Sequence, residues 1–214
     1  MKPYVQKNKK DSPLVQQSKA MSYLLRHGAQ KEGIPIRQDG FVLVQDLLNW
    51  KSMANLKANV QSIRNVVDNN DKKRFELKEI DGQLYIRCVQ GHTIEINEEE
   101  LLGENTQFPV IVHGTYFQAW ELIKNTGLNR MARQHIHFAV GLPGNDAVIS
   151  GMRNTCEVII EVDMERAMKA GIEFYVSKNG VVLSSGIDGV IAPQFFKRVT
   201  TRKGQDIHFQ QQQI

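Results

Sequence analysis

Long apolar runs are missing from this 214-residue chain, and none approaches the length that a membrane-spanning helix needs. The basic opening MKPYVQKNKKDSP has no apolar centre of the kind a signal peptide carries. Cysteine is scarce. Cys88 and Cys156 stand alone in apolar surroundings (YIRCVQ and NTCEVII), which argues against a disulfide framework and reads as two reduced core residues. An intracellular protein, in the cytoplasm or the nucleus, is expected. Two nucleotide-binding signatures are also missing: no Gly-x-Gly-x-x-Gly follows a strand, and no glycine-rich phosphate loop carries a lysine. A nucleotide, if bound, is held by another architecture.

Charge is present but unevenly spread. Residues 1–90 hold 16 Lys and Arg against 9 Asp and Glu, while residues 91–214 hold 11 against 14. A first half at +7 and a second at −3 suits a chain whose first half meets a polyanion. The same counts also fit basic residues that merely solvate a surface.

The two halves differ in pattern as well. Residues 1–13 read as a flexible basic tail, with Ser12 as a helix N-cap and Pro13 at the first helical position. Leu14, Met21, Leu24 and Leu25 follow at helical spacing, and Gly28 is placed to end that helix. DGFVLV reads as a turn into a short strand before a helical QDLLNW. Leu56, Val60, Ile63 and Val67 mark another amphipathic helix. RFELKEI and LYIRCV alternate on either side of Asp81-Gly82, a hairpin signal. Helices followed by a hairpin over residues 14–96 predict a winged helix, a common nucleic-acid-binding form. Residues 97–107 read as an acidic linker. From 108 to 200 the strands FPVIVHG, HIHFAV, CEVIIEVD, IEFYV and GVVLS, with helices near 116–124 and 164–169, predict a mixed or antiparallel sheet. The fold class is α+β, and residues 201–214 read as a frayed tail.

Four groups stand out as chemistry. LLRHG puts Arg26 and His27 at a helix C-terminus, where cations also complement the helix dipole. Arg74 lies where a helix gives way to the hairpin. VHGT ends a buried strand with His113, Gly114 and Thr115, and RQHIH supplies Arg133, His135 and His137. His135 and His137 share a strand face, and His113 would complete a three-histidine zinc set. No carboxylate or cysteine motif accompanies them, so no metal is expected.

In order along residues 18–199, MSYLLRHGAQ, DGFVLVQDLL, NDKKRFEL, QGH, VHGT, RQHIHFA and GLPGNDAVISGMR resemble the tRNA 2′-phosphotransferases, the last block most closely the eukaryotic members. The resemblance implies a winged-helix RNA lobe joined to an ADP-ribosyltransferase-like lobe that binds NAD. It also implies a reaction in which an internal RNA 2′-phosphate passes to NAD. The products are 2′-hydroxyl RNA, nicotinamide and ADP-ribose 1″,2″-cyclic phosphate. Carried over by position, the family's catalytic Arg-His-Arg-Arg set falls on Arg26, His27, Arg74 and Arg133. Its His-His-Val triad falls on His113, His137 and Val181 or Val182.

Gly114, Thr115, Gly141, Gly144 and Arg153 are expected to line the NAD pocket: Thr115 with His113 toward the ribose or the nicotinamide amide, and Gly141, Gly144, Gly151 and Arg153 toward the pyrophosphate. A valine third in the triad suits a phosphate nucleophile, which is already anionic and needs no general base. Three arginines around one phosphate suit the charge that builds on phosphoryl oxygens. The alternative is an ADP-ribosyltransferase that caps terminal nucleic-acid phosphates. RNA with an internal 2′-phosphate is the expected partner, and the chain is expected to act as a monomer.

Overall fold

Ser12 starts the first helix as its pattern requires: its Oγ accepts the Val15 N–H at 3.4 Å, and Pro13 occupies the first turn. The structure is a computed structural model and describes residues 11–97, 102–103, 107–141, 152 and 155–209. Helix α1 (Pro13–Tyr23) does not stop at Tyr23 but widens into a π-turn, Leu24–Gly28. Gly28 is not a left-handed cap; a Cβ there would meet the exposed Tyr23 ring, 2.7 Å from Cε1, so the ring would have to shift. The left-handed residue comes later, at Gly33 (φ +69°).

Strand β1 (Val42–Leu43), α2 (Val44–Asn49), α3 (Lys51–Asn55) and α4 (Val60–Asp68) follow. Asn59 caps α4 reciprocally with Ser62: the Ser62 N–H donates to Asn59 Oδ1 at 2.9 Å, and the Asn59 N–H donates to Ser62 Oγ at 3.0 Å. Ile63 and Val66 form its buried stripe, while Val60 stays exposed and Leu56 falls before the helix. Strands β2 (Phe75–Ile80) and β3 (Gln83–Cys88) meet at Asp81-Gly82, both with positive φ, as a two-residue hairpin turn demands. The sheet order is β1-β3-β2. Met21, Leu24, Leu25, Leu47, Met53, Ile63 and Ile86 close a core between this sheet and the helices.

The remaining elements are β4 (Leu102–Gly103), β5 (Ile111–Thr115), α5 (Phe117–Thr126), β6 (Leu128–Asn129), β7 (Ile136–Val140), β8 (Val158–Val162), α6 (Met164–Lys169), β9 (Tyr175–Ser177), β10 (Val182–Ser184), β11 (Val190–Ile191) and β12 (Phe196–Thr201). Seven strands form one sheet in the order β12-β8-β5-β7-β10-β9-β4, and β6 pairs with β11. Every described ladder of the large sheet is antiparallel. Alternation sends Val158, Ile160 and Val162 into a second core with Ile111, Phe138, Val182 and Phe196. Val112, Ala139, Cys156 and Ile159 cluster on the other face. Both cysteines are free and buried.

Two expectations about segments change. Within the expected linker, Leu102–Gly103 pairs with β9 at the sheet edge; residues 98–101 and 104–106 lie outside the described residues. Residues 202–209 are not frayed. The Ile207 N–H donates to the Val199 carbonyl at 2.8 Å, and Phe209 packs edge-on to Trp120 at 5.7 Å. Buried aromatic area outweighs the polar sequence around it.

Polar contacts stitch the two halves together. Glu76 accepts from Arg87 Nε at 2.7 Å and from Lys178 Nζ at 2.7 Å. Asn179 Nδ2 donates to the Lys72 carbonyl at 2.8 Å, and Gln134 Nε2 to the Ile96 carbonyl at 3.1 Å. Among the described residues no helix is long and apolar enough to cross a membrane.

Candidate active site

The π-turn after α1 sets the geometry of Arg26. A wide turn shifts the carbonyls out of register with an α-helix, and the Arg26 carbonyl accepts instead from the N–H groups of Thr93 (2.9 Å) and Ile94 (3.2 Å). His27 Nδ1 lies 3.0 Å from Thr93 Oγ1. The Arg26 side chain is half-buried and its charge bears on the Cys88 thiol, yet among the described residues its buried Nε and Nη2 have no hydrogen-bond partner. Arg74 is half-buried beside Asn70, whose Oδ1 takes its backbone N–H at 3.1 Å. Burial first, then the Arg26 charge, depresses the Arg74 pKa. Both arginines line one cleft of about 720 Å³ between α1 and α4.

Arg133 enters from the second half, on the exposed turn before β7. Its charge bears on His27 and on His137, as does that of Arg26. Burial, then those two cations, pushes the His137 pKa down to about 3, so the ring is neutral at working pH. His27 is lowered too, by burial first and then by Arg26, Arg133 and His92.

The β5–β7 ladder ends at Val112 opposite Ala139. Beyond that point the His113 side chain replaces the backbone, with Nδ1 2.9 Å from the His137 carbonyl. A carbonyl only accepts, so Nδ1 of His113 carries the proton. His113 also meets the Phe138 ring edge-on at 6.1 Å. Val182 lies opposite Phe138, and Leu183 lies opposite His137. Opposed residues share a face and successive ones alternate. Val182 thus belongs to the core with Phe138, and the fully buried Val181 falls on the side of His137.

Not every expected residue converges. Gly114 packs under Met152, whose Cγ would be 2.4 Å from an added Cβ, and Thr115 is buried with its carbonyl taken by the Glu157 N–H at 2.8 Å. Gly141 lies four residues along β7 from His137, about 13 Å at strand rise, and donates to the Val110 carbonyl. His135 meets the Tyr175 ring at 6.3 Å. Gly144, Gly151 and Arg153 lie outside the described residues. No group of three or more His, Cys, Asp or Glu side chains that could hold a metal occurs among the described residues.

One segment was passed over by sequence reasoning. From Val89 to Thr93 each residue touches a candidate or its neighbour. The Val89 N–H donates to the Arg74 carbonyl at 3.0 Å, and Gln90 Oε1 lies 2.7 Å from His137 Nε2. A Cβ on Gly91 (φ +87°) would lie 3.4 Å from the Arg26 guanidinium carbon and 3.5 Å from His137 Nε2. The His92 carbonyl accepts the Gln134 N–H at 3.2 Å, and Thr93 holds His27. The available signal was the short QGH block at 90–92, where a glycine between two polar residues marks a close backbone approach.

The description "RNA 2'-phosphotransferase, Tpt1 / KptA family" matches residues 12–186. The chain is similar to tRNA 2'-phosphotransferase 1 of Danio rerio, 41% identical over 196 residues (88% of this chain, 86% of that one). It is also similar to tRNA 2'-phosphotransferase 1 of Homo sapiens, 43% identical over 189 residues (86% and 74%). A Schizosaccharomyces pombe relative, 41% identical over 194 residues and 90% of this chain, is longer: the chain spans about half of it, 53%. With most of its length matched, the chain belongs to the RNA 2'-phosphotransferase, Tpt1 / KptA family.

Proposed function

We propose that this chain is an NAD-dependent enzyme that removes the internal 2′-phosphate left at tRNA splice junctions. Residues 14–96 form the RNA lobe: with the short α3 set between α2 and α4, the series α1, β1, α2, α4 and the β2–β3 hairpin supports a winged-helix reading. Residues 108–200 form the NAD lobe, of ADP-ribosyltransferase type. The observation that carries the reading is Arg26. A buried donor without a partner costs about 1–3 kcal/mol, so orphaned Nε and Nη2 call for a ligand that accepts from both. A phosphate beside Arg74 does so, and the Arg133 charge, which bears on His27 and His137, adds to the same site.

In the first step a 2′-phosphate oxygen attacks the anomeric carbon of the nicotinamide ribose, and nicotinamide leaves with the bonding electron pair. His113 and the neutral ring of His137 orient that ribose, and His137 does so without adding charge to a centre that becomes cationic. In the second step the adjacent ribose hydroxyl attacks phosphorus, the bond to the RNA 2′-oxygen breaks, and the proton passes to that oxygen. Extra charge on the phosphoryl oxygens is met by the forks of Arg26, Arg74 and Arg133. His27, held by Thr93, is placed to relay the proton.

The test is to incubate the full chain with NAD, chelator and an RNA bearing one internal 2′-phosphate, with a 5′-phosphorylated RNA in parallel. Expected products are 2′-hydroxyl RNA, nicotinamide and ADP-ribose 1″,2″-cyclic phosphate. An ADP-ribosylated terminal phosphate with the internal 2′-phosphate intact would instead make the chain a capping enzyme.

A further inference from the structure

We infer that Gln90, supplied by the first half of the chain, is a positioning residue that fixes the tautomer of His137 in the second. The two side chains meet 47 positions apart in sequence, at 2.7 Å, with Gln90 8% exposed and His137 9% exposed. A neutral imidazole has one N–H and one lone pair, and the partner of one nitrogen decides which is which. The Gln90 oxygen only accepts. His137 therefore carries its proton on Nε2 and offers a lone pair at Nδ1. Gly91, with φ +87°, lets the segment pass between the two side chains, since a Cβ there would lie 3.4 Å from the Arg26 guanidinium carbon and 3.5 Å from His137 Nε2.

The consequence rests on the NAD reading above. A lone pair at Nδ1 selects a hydrogen-bond donor on the cosubstrate, a ribose hydroxyl or the carboxamide NH₂, and rejects a phosphate oxygen. Neutrality of the ring, imposed by burial and by the two nearby arginines, makes that selection independent of pH above about 3. Because Gln90 directly follows the residue bound to the Arg74 carbonyl, the tautomer lock is built on the same segment that places the phosphate arginines.

Long-range 1H–15N spectra of the labelled full chain, free of ligands at neutral pH, read the tautomer directly. The expected result is a pyrrole-type Nε2 and a pyridine-type Nδ1 for His137. Gln90→Glu keeps the accepting oxygen and should keep that pattern, while Gln90→Leu should average the two nitrogens. In Gln90→Leu the KM for NAD should rise about tenfold, the scale of one hydrogen bond, with RNA affinity unchanged. An Nδ1–H tautomer in the unaltered protein, or an unchanged tautomer in Gln90→Leu, would overturn the inference. The spectra need neither substrate, so they decide the tautomer even if the chain proves not to use NAD. An unchanged KM alongside a mixed tautomer would remove its functional consequence.

Discussion

Asn179 donates its side-chain amide to the Lys72 carbonyl at 2.8 Å, across 107 positions of sequence. Its Oδ1 accepts from Ser177 Oγ at 2.8 Å, and Ser177 Oγ in turn accepts the Val181 N–H at 3.1 Å. One short network thus ties the backbone before Arg74 to the backbone of Val181. The loop carrying Arg74 and the strand beside His137 are joined through the Asn179 amide as well as through the neighbouring Lys178–Glu76 pair.

Asn179→Ala should lower stability by about 1 kcal/mol, the net value of a buried neutral hydrogen bond, and slow turnover by misaligning the two loops. Asn179→Asp should be worse, because a carboxylate oxygen then faces the Lys72 carbonyl with no proton between them. Urea denaturation and steady-state rates of both variants check this. An aspartate variant as stable as the unaltered chain would contradict the network.

The ion pairs at the same seam should behave very differently from one another. Arg87 is 1% exposed and is satisfied by Glu76, by the Asp39 carbonyl at 2.9 Å and by the Phe41 ring at 4.3 Å. Glu76→Ala removes the carboxylate from that buried cation and should cost about 3 kcal/mol or more. Lys178→Ala removes the half-exposed partner of the same carboxylate and should cost under about 1 kcal/mol, less still in high salt. Equal losses in the two variants would show that burial is not what distinguishes the pairs.

Much of this arrangement was legible in the sequence where the signal is local. Ser12-Pro13, Asp81-Gly82 and the alternating strand text each name their own geometry, because a cap, a two-residue turn and a sheet face depend on neighbours only. What could not be read is what depends on distant partners. Gln90 and Asn179 are ordinary polar residues until the chain brings His137 and Lys72 to them. The choice between Val181 and Val182 needed the register against Phe138, since a shift of one residue changes the face. Residues 202–209 misled because two apolar residues, Ile207 and Phe209, decide the packing of a mostly polar stretch.

Stability should fall as pH drops below neutral. The His137 pKa in the folded chain, about 3, is below its unfolded value of 6.5. Between those limits the unfolded chain binds a proton that the folded chain refuses. The stability from this residue is full above pH 6.5 and is lost as pH falls toward 3, at about 1.4 kcal/mol per pH unit. A chain with His137→Gln lacks this contribution. Between pH 7 and pH 5 the unaltered chain should lose about 2 kcal/mol more than the variant in urea titrations. Parallel losses would mean that the ring is protonated in the fold or is not buried.

Losing one preorganised donor to transition-state charge is expected to slow turnover by roughly 100- to 1000-fold, and Arg74→Ala and Arg133→Ala should each fall in that range. Folding should change little for Arg133, which is exposed, and more for Arg74, which is half-buried. Circular dichroism and single-turnover rates separate the two effects. Near-normal turnover in either variant removes that arginine from the phosphate site.

Arg26 should control the second step more than the first. On the proposed mechanism, attack by the 2′-phosphate on the ribose needs only an oriented anion, and a single positive charge near the phosphate suffices to hold it. Transfer to the ribose hydroxyl loads extra charge onto the phosphoryl oxygens, where the unpartnered Nε and Nη2 of Arg26 present a planar fork. Arg26→Lys keeps the charge but offers one compact ammonium in place of that fork. It should slow the second step by a larger factor than the first, so ADP-ribosylated RNA 2′-phosphate accumulates and then decays in a single-turnover time course. His137→Ala, by contrast, should slow the first step through poor placement of NAD and leave no such accumulation. A lysine variant slow in the first step alone, with no intermediate at any time point, would put Arg26 on the nucleophile rather than on the transferring phosphoryl group.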